Sequence, residues 1–216
     1  MFRYAAVAIL ALGAIACSNK VSQDQFTKYY DDGRAKPVIA IAPIIDTTSF
    51  DSSWSLSEEF SSTLFSKLLG KGTLFLNNEN EKFLTTAENP FSNDLAWVKR
   101  EFSPNEFVIF LEIVEHNLVP VDRTQMVTSP ETSSHLNVAI RIRIVDIRGN
   151  APRIVLQELV RESHYFSRVL IPFDYNKFHW GTDEYTASPM GEAHSNIVKQ
   201  LVERINDYVL LAKSRG

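Results

Sequence analysis

Disulfides cannot hold this protein together, because Cys17 is the only cysteine among 216 residues and a bridge within one chain needs two. Burial of apolar surface must carry the fold instead. Metal-ligand patterns are equally scarce. His116, His135, His164, His179 and His194 lie far apart, with no H-E-x-x-H and no cysteine beside them, so no metal or cofactor is expected and each histidine reads as a surface or boundary residue. There is no G-x-S-x-G elbow, and no serine is placed by local sequence beside a base, so no catalytic residue is assigned. Gly70-Lys71-Gly72-Thr73 looks like the end of a phosphate loop, but Phe65 stands where that motif needs its first glycine, and the stretch follows a helix pattern. A helix-ending turn is the plainer reading. An excess of basic charge is missing too: 22 lysines and arginines face 26 acidic residues, which argues against a nucleic-acid footprint.

Long apolar runs are also few, and the first of them is short. Arg3 precedes the uninterrupted apolar or small stretch Ala5 to Ala16, after which Cys17-Ser18-Asn19-Lys20 turns polar. Twelve helical residues span roughly 18 Å, short of a bilayer core of about 30 Å. Residues 1–16 therefore read as a secretory signal, with Ala14 and Ala16 allowing ordinary signal peptidase to cut before Cys17. Ile15-Ala16-Cys17 resembles the end of a bacterial lipoprotein leader. That resemblance implies acylation of Cys17, and Ser18 after it favours the outer membrane. Each buried methylene is worth about 0.8 kcal/mol, so several acyl chains make such an anchor effectively permanent. Losing Arg3 with the leader leaves 21 basic against 26 acidic residues, a net charge near −5.

Residues 17–36 are polar, broken by Asp31-Asp32-Gly33, and read as a lipidated tether whose Tyr29-Tyr30 pair could dock on the domain. Residues 37–216 are of a length that suits one domain. Pro37 to Ile45 is a continuous apolar run bounded by prolines, as expected of a doubly buried strand. Ser55-x-x-Glu58 resembles a capping box, and Leu56, Phe60, Leu64 and Leu68 put one apolar stripe on the helix it opens. Thr73 to Leu76 predicts a short strand, Asn93 to Phe102 a helix, and Glu106 to Val119 a long strand with Phe107-Val108-Ile109-Phe110-Leu111 as its buried centre. Leu136, Val138, Ile140, Ile142 and Ile144 alternate with Asn137, Arg141 and Arg143, and after the turn at Arg148-Gly149-Asn150 the stretch Arg153 to His164 predicts the antiparallel partner. Ser188-Pro189 then opens a C-terminal helix with Ala193, Ile197, Leu201, Ile205 and Tyr208 on one stripe. The fold class is α/β: a mixed sheet of about five strands, with a parallel β-α-β-α-β start, an antiparallel hairpin and a long terminal helix.

The first strand and helix, then Asn105 to Leu111, then Arg141 to Gly149, together look like the periplasmic lipoprotein domain of the curli-secretion and penicillin-binding-protein-activator families. The similarity covers about residues 36 to 165. It implies a non-enzymatic, membrane-anchored factor that binds an envelope protein. The chain as a whole also resembles uncharacterised lipoproteins of chlamydia-like bacteria.

Two stretches offer candidate contacts. Arg141, Arg143, Arg148 and Arg153 are expected to gather around one hairpin, either as a solvated sheet face or as a patch for an acidic partner. The loop at 165–188 carries Tyr165, Phe166, Phe173, Tyr175, Phe178, Trp180 and Tyr185, too aromatic for disorder, and reads either as a flap over the sheet or as a partner surface. The candidate partner-binding residues are thus Tyr175, Phe178, Trp180, Tyr185, Arg141 and Arg143, with Cys17 as the lipidation site. The expectation is an outer-membrane lipoprotein that binds an envelope protein as an assembly or regulatory factor. Its rival is an envelope hydrolase whose catalytic residues come from separate loops, recognisable by an oriented triad or a close carboxylate pair.

Overall fold

In the computed structural model, residues 27–50, 53–77, 88–121, 133–167 and 179–215 are described. The leader, Cys17, most of the tether, Phe173, Tyr175 and Phe178 lie outside them. The elements run β1 (Val38–Ile41), β2 (Ile45–Asp46), α1 (Leu56–Lys71), β3 (Phe75–Leu76), α2 (Ala96–Phe102), β4 (Phe107–Pro120), β5 (Ser134–Asp146), β6 (Arg153–Phe166), α3 (Asp183–Thr186) and α4 (Pro189–Ser214).

One six-stranded sheet has the order β3-β1-β4-β5-β6, with β2 also on β4. β1 pairs parallel with β3 and β4, whereas β4, β5 and β6 are successively antiparallel. The sheet is mixed and its start is parallel, as the strand and helix pattern implies. The proline-bounded run does not stay one strand. It breaks at Ala42-Pro43, since proline has no N–H for the ladder, and β1 and β2 lie end to end along β4, at Phe107 to Ile109 and at Glu112 to Ile113.

Helix α1 starts where its capping signal stands: Ser55 Oγ accepts from the Glu58 N–H, and Glu58 and Glu59 occupy the positive end of the helix. It ends at Gly72, whose φ of 64° closes a bond from its N–H to the Leu69 carbonyl. Leu56, Phe60, Leu64 and Leu68 are all buried. Helix α4 begins at Ser188, whose side chain accepts from the Gly191 N–H, with Pro189 in the first turn. Its buried stripe runs through Ala193, Ile197, Leu201 and Ile205. Tyr208 departs from the expected stripe and is 37 % exposed; Val209 and Ala212 take over.

One face of the sheet packs its Leu136, Val138, Ile140, Ile142 and Ile144 row against α1 and α4 in the main core. The opposite face is solvated only in part. At its parallel end Ala40, Val108, Phe110 and Val145 pack under Trp97, Val98 and Phe102 of α2, so the layers there are helix, sheet, helix. Among the described residues, no helix is long and apolar enough to cross a membrane.

Candidate functional site

Register along β4 decides what faces the core. Phe107, Ile109, Leu111 and Ile113 point into the main core, and strict alternation would put residue 116 on the other side. A bulge between Ile113 and Glu115 inserts one residue. Beyond it the parity is reversed, so that His116, opposite Val138, enters the core with 1 % exposure. His194, from the second turn of α4, meets it there at 3 % exposure. The two Nε2 atoms are 2.8 Å apart and the ring centroids 5.0 Å, an almost head-on approach.

The other nitrogen of His194 is also occupied. Nδ1 lies 2.8 Å from Glu59 Oε1 and 2.7 Å from the Tyr185 hydroxyl, which itself donates to Glu59 Oε1. Trp54 Nε1 donates to Glu59 Oε2 at 2.8 Å. Phe50 covers His116, with ring centroids 4.1 Å apart, and Phe60 stands 4.9 Å from His194. Burial, and then the neighbouring His194, push the His116 pKa down to about 3. Burial alone would raise Glu59; the hydrogen bond from the His194 N–H and its electrostatic attraction, with the bonds from Tyr185 and Trp54, outweigh it and hold the carboxyl below its usual range. The pattern therefore assigns a carboxylate at Glu59 and a neutral ring at His116.

Two clefts adjoin this network. A cleft of about 750 Å³ lies at the carboxyl ends of β1 and β3 and along α1, lined by Ile41, Pro43, Ile44, Phe65, Leu69 and Trp180 among others. A smaller one of about 290 Å³ reaches Glu59, Tyr185 and His194, and Trp180 lines it as well. The larger is mostly apolar, with Ser57, Glu58, Ser61, Ser62 and Ser66 of α1 along one side and Asn77 at the end of β3. Among the described residues, no group of three or more histidine, cysteine, aspartate or glutamate side chains is placed to hold a metal ion.

Among the described residues, the sequence-predicted candidates do not come together as one surface; Tyr175 and Phe178 lie outside them. Trp180 sits at both clefts. Tyr185 is 4 % exposed inside the hydrogen-bond network. Arg143 is not on a solvated face: at 2 % exposure its guanidinium donates to the carbonyls of Pro90, Phe91 and Ser92 and to Gln157, fastening the segment before α2 to β5. Arg141 lies over the Phe91 ring at 4.2 Å and donates from Nε to Glu112 at 2.7 Å. Arg148 and Arg153 gather separately around Asp146, at 2.8 and 3.2 Å. All four are committed to partners within the chain, in two groups, so the expected basic patch is not free. Tyr30 does dock, its hydroxyl donating to the Thr73 carbonyl at 2.6 Å. The reading of all five histidines as surface or boundary residues fails for His116 and His194. For His116 the sequence carries no local sign of the bulge. For His194 the sign was present, since it falls beside Ala193 on the apolar side of α4.

Residues 25–213 match the model of a family described as a family of unknown function (DUF7499), and the chain belongs to that family. No curated protein matches it. Among solved structures, the chain is similar to the hypothetical protein CT253 of Chlamydia trachomatis, with 24 % identity and a TM-score of 0.65, over 81 % of this chain and 98 % of that one. This likeness shows the fold. Protein XCC0632 of Xanthomonas campestris follows at 4 % identity and a TM-score of 0.48, over 84 % of this chain and 88 % of that one. Lipoprotein GNA1162 of Neisseria meningitidis is more distant, at 13 % identity and a TM-score of 0.39, over 77 % and 99 %.

Proposed function

We propose that this family member is a lipid-anchored envelope protein, held to the outer membrane through Cys17, whose α/β domain binds another envelope protein as an assembly or regulatory factor. The observation that carries the binding reading is the apolar cleft beside Trp180. In open α/β sheets, ligands are received beyond the carboxyl ends of the parallel strands, and a large apolar concavity with a few polar groups on its rim is the usual form of a binding site. Among the described residues, the only charged side chain on its lining is Glu58, so the chemistry suits an apolar segment of a partner. The anchor rests on the leader and its single cysteine. The finer likeness to curli-secretion and penicillin-binding-protein-activator lipoproteins belongs to this same proposal.

A hydrolase reading would use Glu59 and His194 as the carboxylate and base of a triad. Such a base must offer Nε2 to a nucleophile, and His116 stands at that nitrogen. That occupancy supports the binding reading. The test is crosslinking in intact cells from a photoreactive residue at position 180, followed by identification of the captured chain. One envelope protein captured reproducibly supports the proposal; crosslinks to bulk protein without preference overturn it.

A further inference from the structure

Two bare nitrogens repel at 2.8 Å and so do two N–H groups, so the His116–His194 contact holds one proton between its two Nε2 atoms. Glu59, as a carboxylate, only accepts, so His194 Nδ1 carries a proton toward it. His194 Nε2 is then an acceptor and His116 Nε2 the donor. His116 Nδ1, buried and without a hydrogen-bond partner, is left bare. Each of the four ring nitrogens is thus assigned, and no place remains for another proton. Adding one either sets N–H against N–H or moves the shared proton to His194 and leaves a donor at His116 Nδ1 that none of the other described residues is placed to receive.

We propose that the His116–His194 contact is an acid-released latch, in which uptake of one further proton parts the bulged half of β4 from the start of α4 and frees α3 with it. The pair is a polar tie across that boundary. Glu59 faces it from α1, Tyr185 from α3, and Phe50 and Trp54 from the loop before α1. β5 presents only Val138 across from His116. Lys67 and Asp183 line the small cleft that reaches Glu59 and His194. The segment that leaves is light: α3 has four residues, and α4 is held beyond it by its own apolar stripe. Opening returns His116 to water, where its ordinary pKa is about 6.5. Below that pH each unit of acidification therefore raises the open population about tenfold. The latch stands whether or not the cleft binds an envelope protein.

The test is amide hydrogen exchange on the full chain at a series of pH values, corrected for the intrinsic rate. Protection of Tyr185 to Ser195 is expected to fall about tenfold per pH unit below about pH 6.5, while Val108 to Leu111 keep theirs. His116→Gln retains an N–H at the reach of Nε2 but does not titrate, and is expected to flatten that dependence. An unchanged slope in His116→Gln, or loss of protection spread evenly over the sheet, overturns the latch. Nitrogen chemical shifts of the wild-type rings give a second reading if that variant does not fold. A proton on His116 Nε2 and on His194 Nδ1 at pH 7 is expected. A cationic His116 with Tyr185 to Ser195 still protected overturns the proposal.

Discussion

Gly191 lies directly beneath the backbone of Tyr185: a β-carbon added there would stand 2.2 Å from the Tyr185 carbonyl oxygen. No flexible side chain can yield at that contact, because the obstructing atoms are main chain. The closeness lets the first turn of α4 press on α3 and bring Tyr185 and His194 onto the same carboxylate.

Gly191→Ala is therefore expected to destabilise the protein by about 1–3 kcal/mol through overpacking. The loss is expected to be local as well as global, with the tyrosine and histidine displaced from Glu59. Denaturant unfolding gives the first quantity and the near-ultraviolet signal of Trp54 and Tyr185 the second. A variant as stable as the wild type would show that α3 can move aside freely.

Stability is expected to fall with acid well before the carboxylates titrate. The folded His116 pKa is about 3, against about 6.5 unfolded, so between those values the unfolded chain binds the extra proton. Unfolding free energy then declines by about 1.4 kcal/mol per pH unit as pH drops below about 6.5. Glu59 and Asp146, whose folded pKa values are lowered, add a further loss once their unfolded forms protonate at lower pH. Urea midpoints measured between neutral and mildly acidic pH check the slope, and a flat profile across that window contradicts the burial of a neutral ring.

Arg143→Ala and Arg141→Ala are expected to differ sharply although the residues are two apart on one strand. Removing Arg143 strips the donor from three backbone carbonyls next to α2, at a cost on the order of 2 kcal/mol or more. Arg141 is 39 % exposed in its ion pair, and its loss is expected to cost about 1 kcal/mol or less. Thermal unfolding of the two variants side by side decides the point; equal effects would mean that the face over β5 is as solvated at Arg143 as at Arg141.

Trp180→Ala is expected to reduce partner capture in cells while lowering Tm by less than Gly191→Ala does, since Trp180 is only partly buried and lies at the rim of both clefts. Capture and melting are measured on the same preparation. A large fall in Tm with capture intact would assign the indole to packing alone.

Cys17→Ser is expected to move the protein from the membrane fraction to the soluble fraction and to abolish labelling by a fatty-acid analogue. Retention of the label in the variant would place the acyl group elsewhere.

Most elements were legible because they rest on signals within their own stretches; β2, split from the proline-bounded run, and α3, inside the aromatic stretch, were not. Ser55 and Glu58, Gly72, and Ser188 with Pro189 mark helix ends by satisfying or sparing backbone groups locally. The period-two row from Leu136 to Ile144 needs only the pleat of a strand to define a buried face. The alternate face of that same strand was misread at Arg143, because alternation says that a residue points away from one core but not whether α2 builds a second layer there. The network is less legible still. His116 reaches the core through an extra residue in β4 that nothing in Ile113-Val114-Glu115 announces, and its partners come from positions 59, 185 and 194. Local periodicity thus determined which segments became helices and strands and which side of each was apolar. Only the folded chain decided which polar side chains would share one dry interior space, since that depends on a register shift and on contacts between residues far apart in sequence.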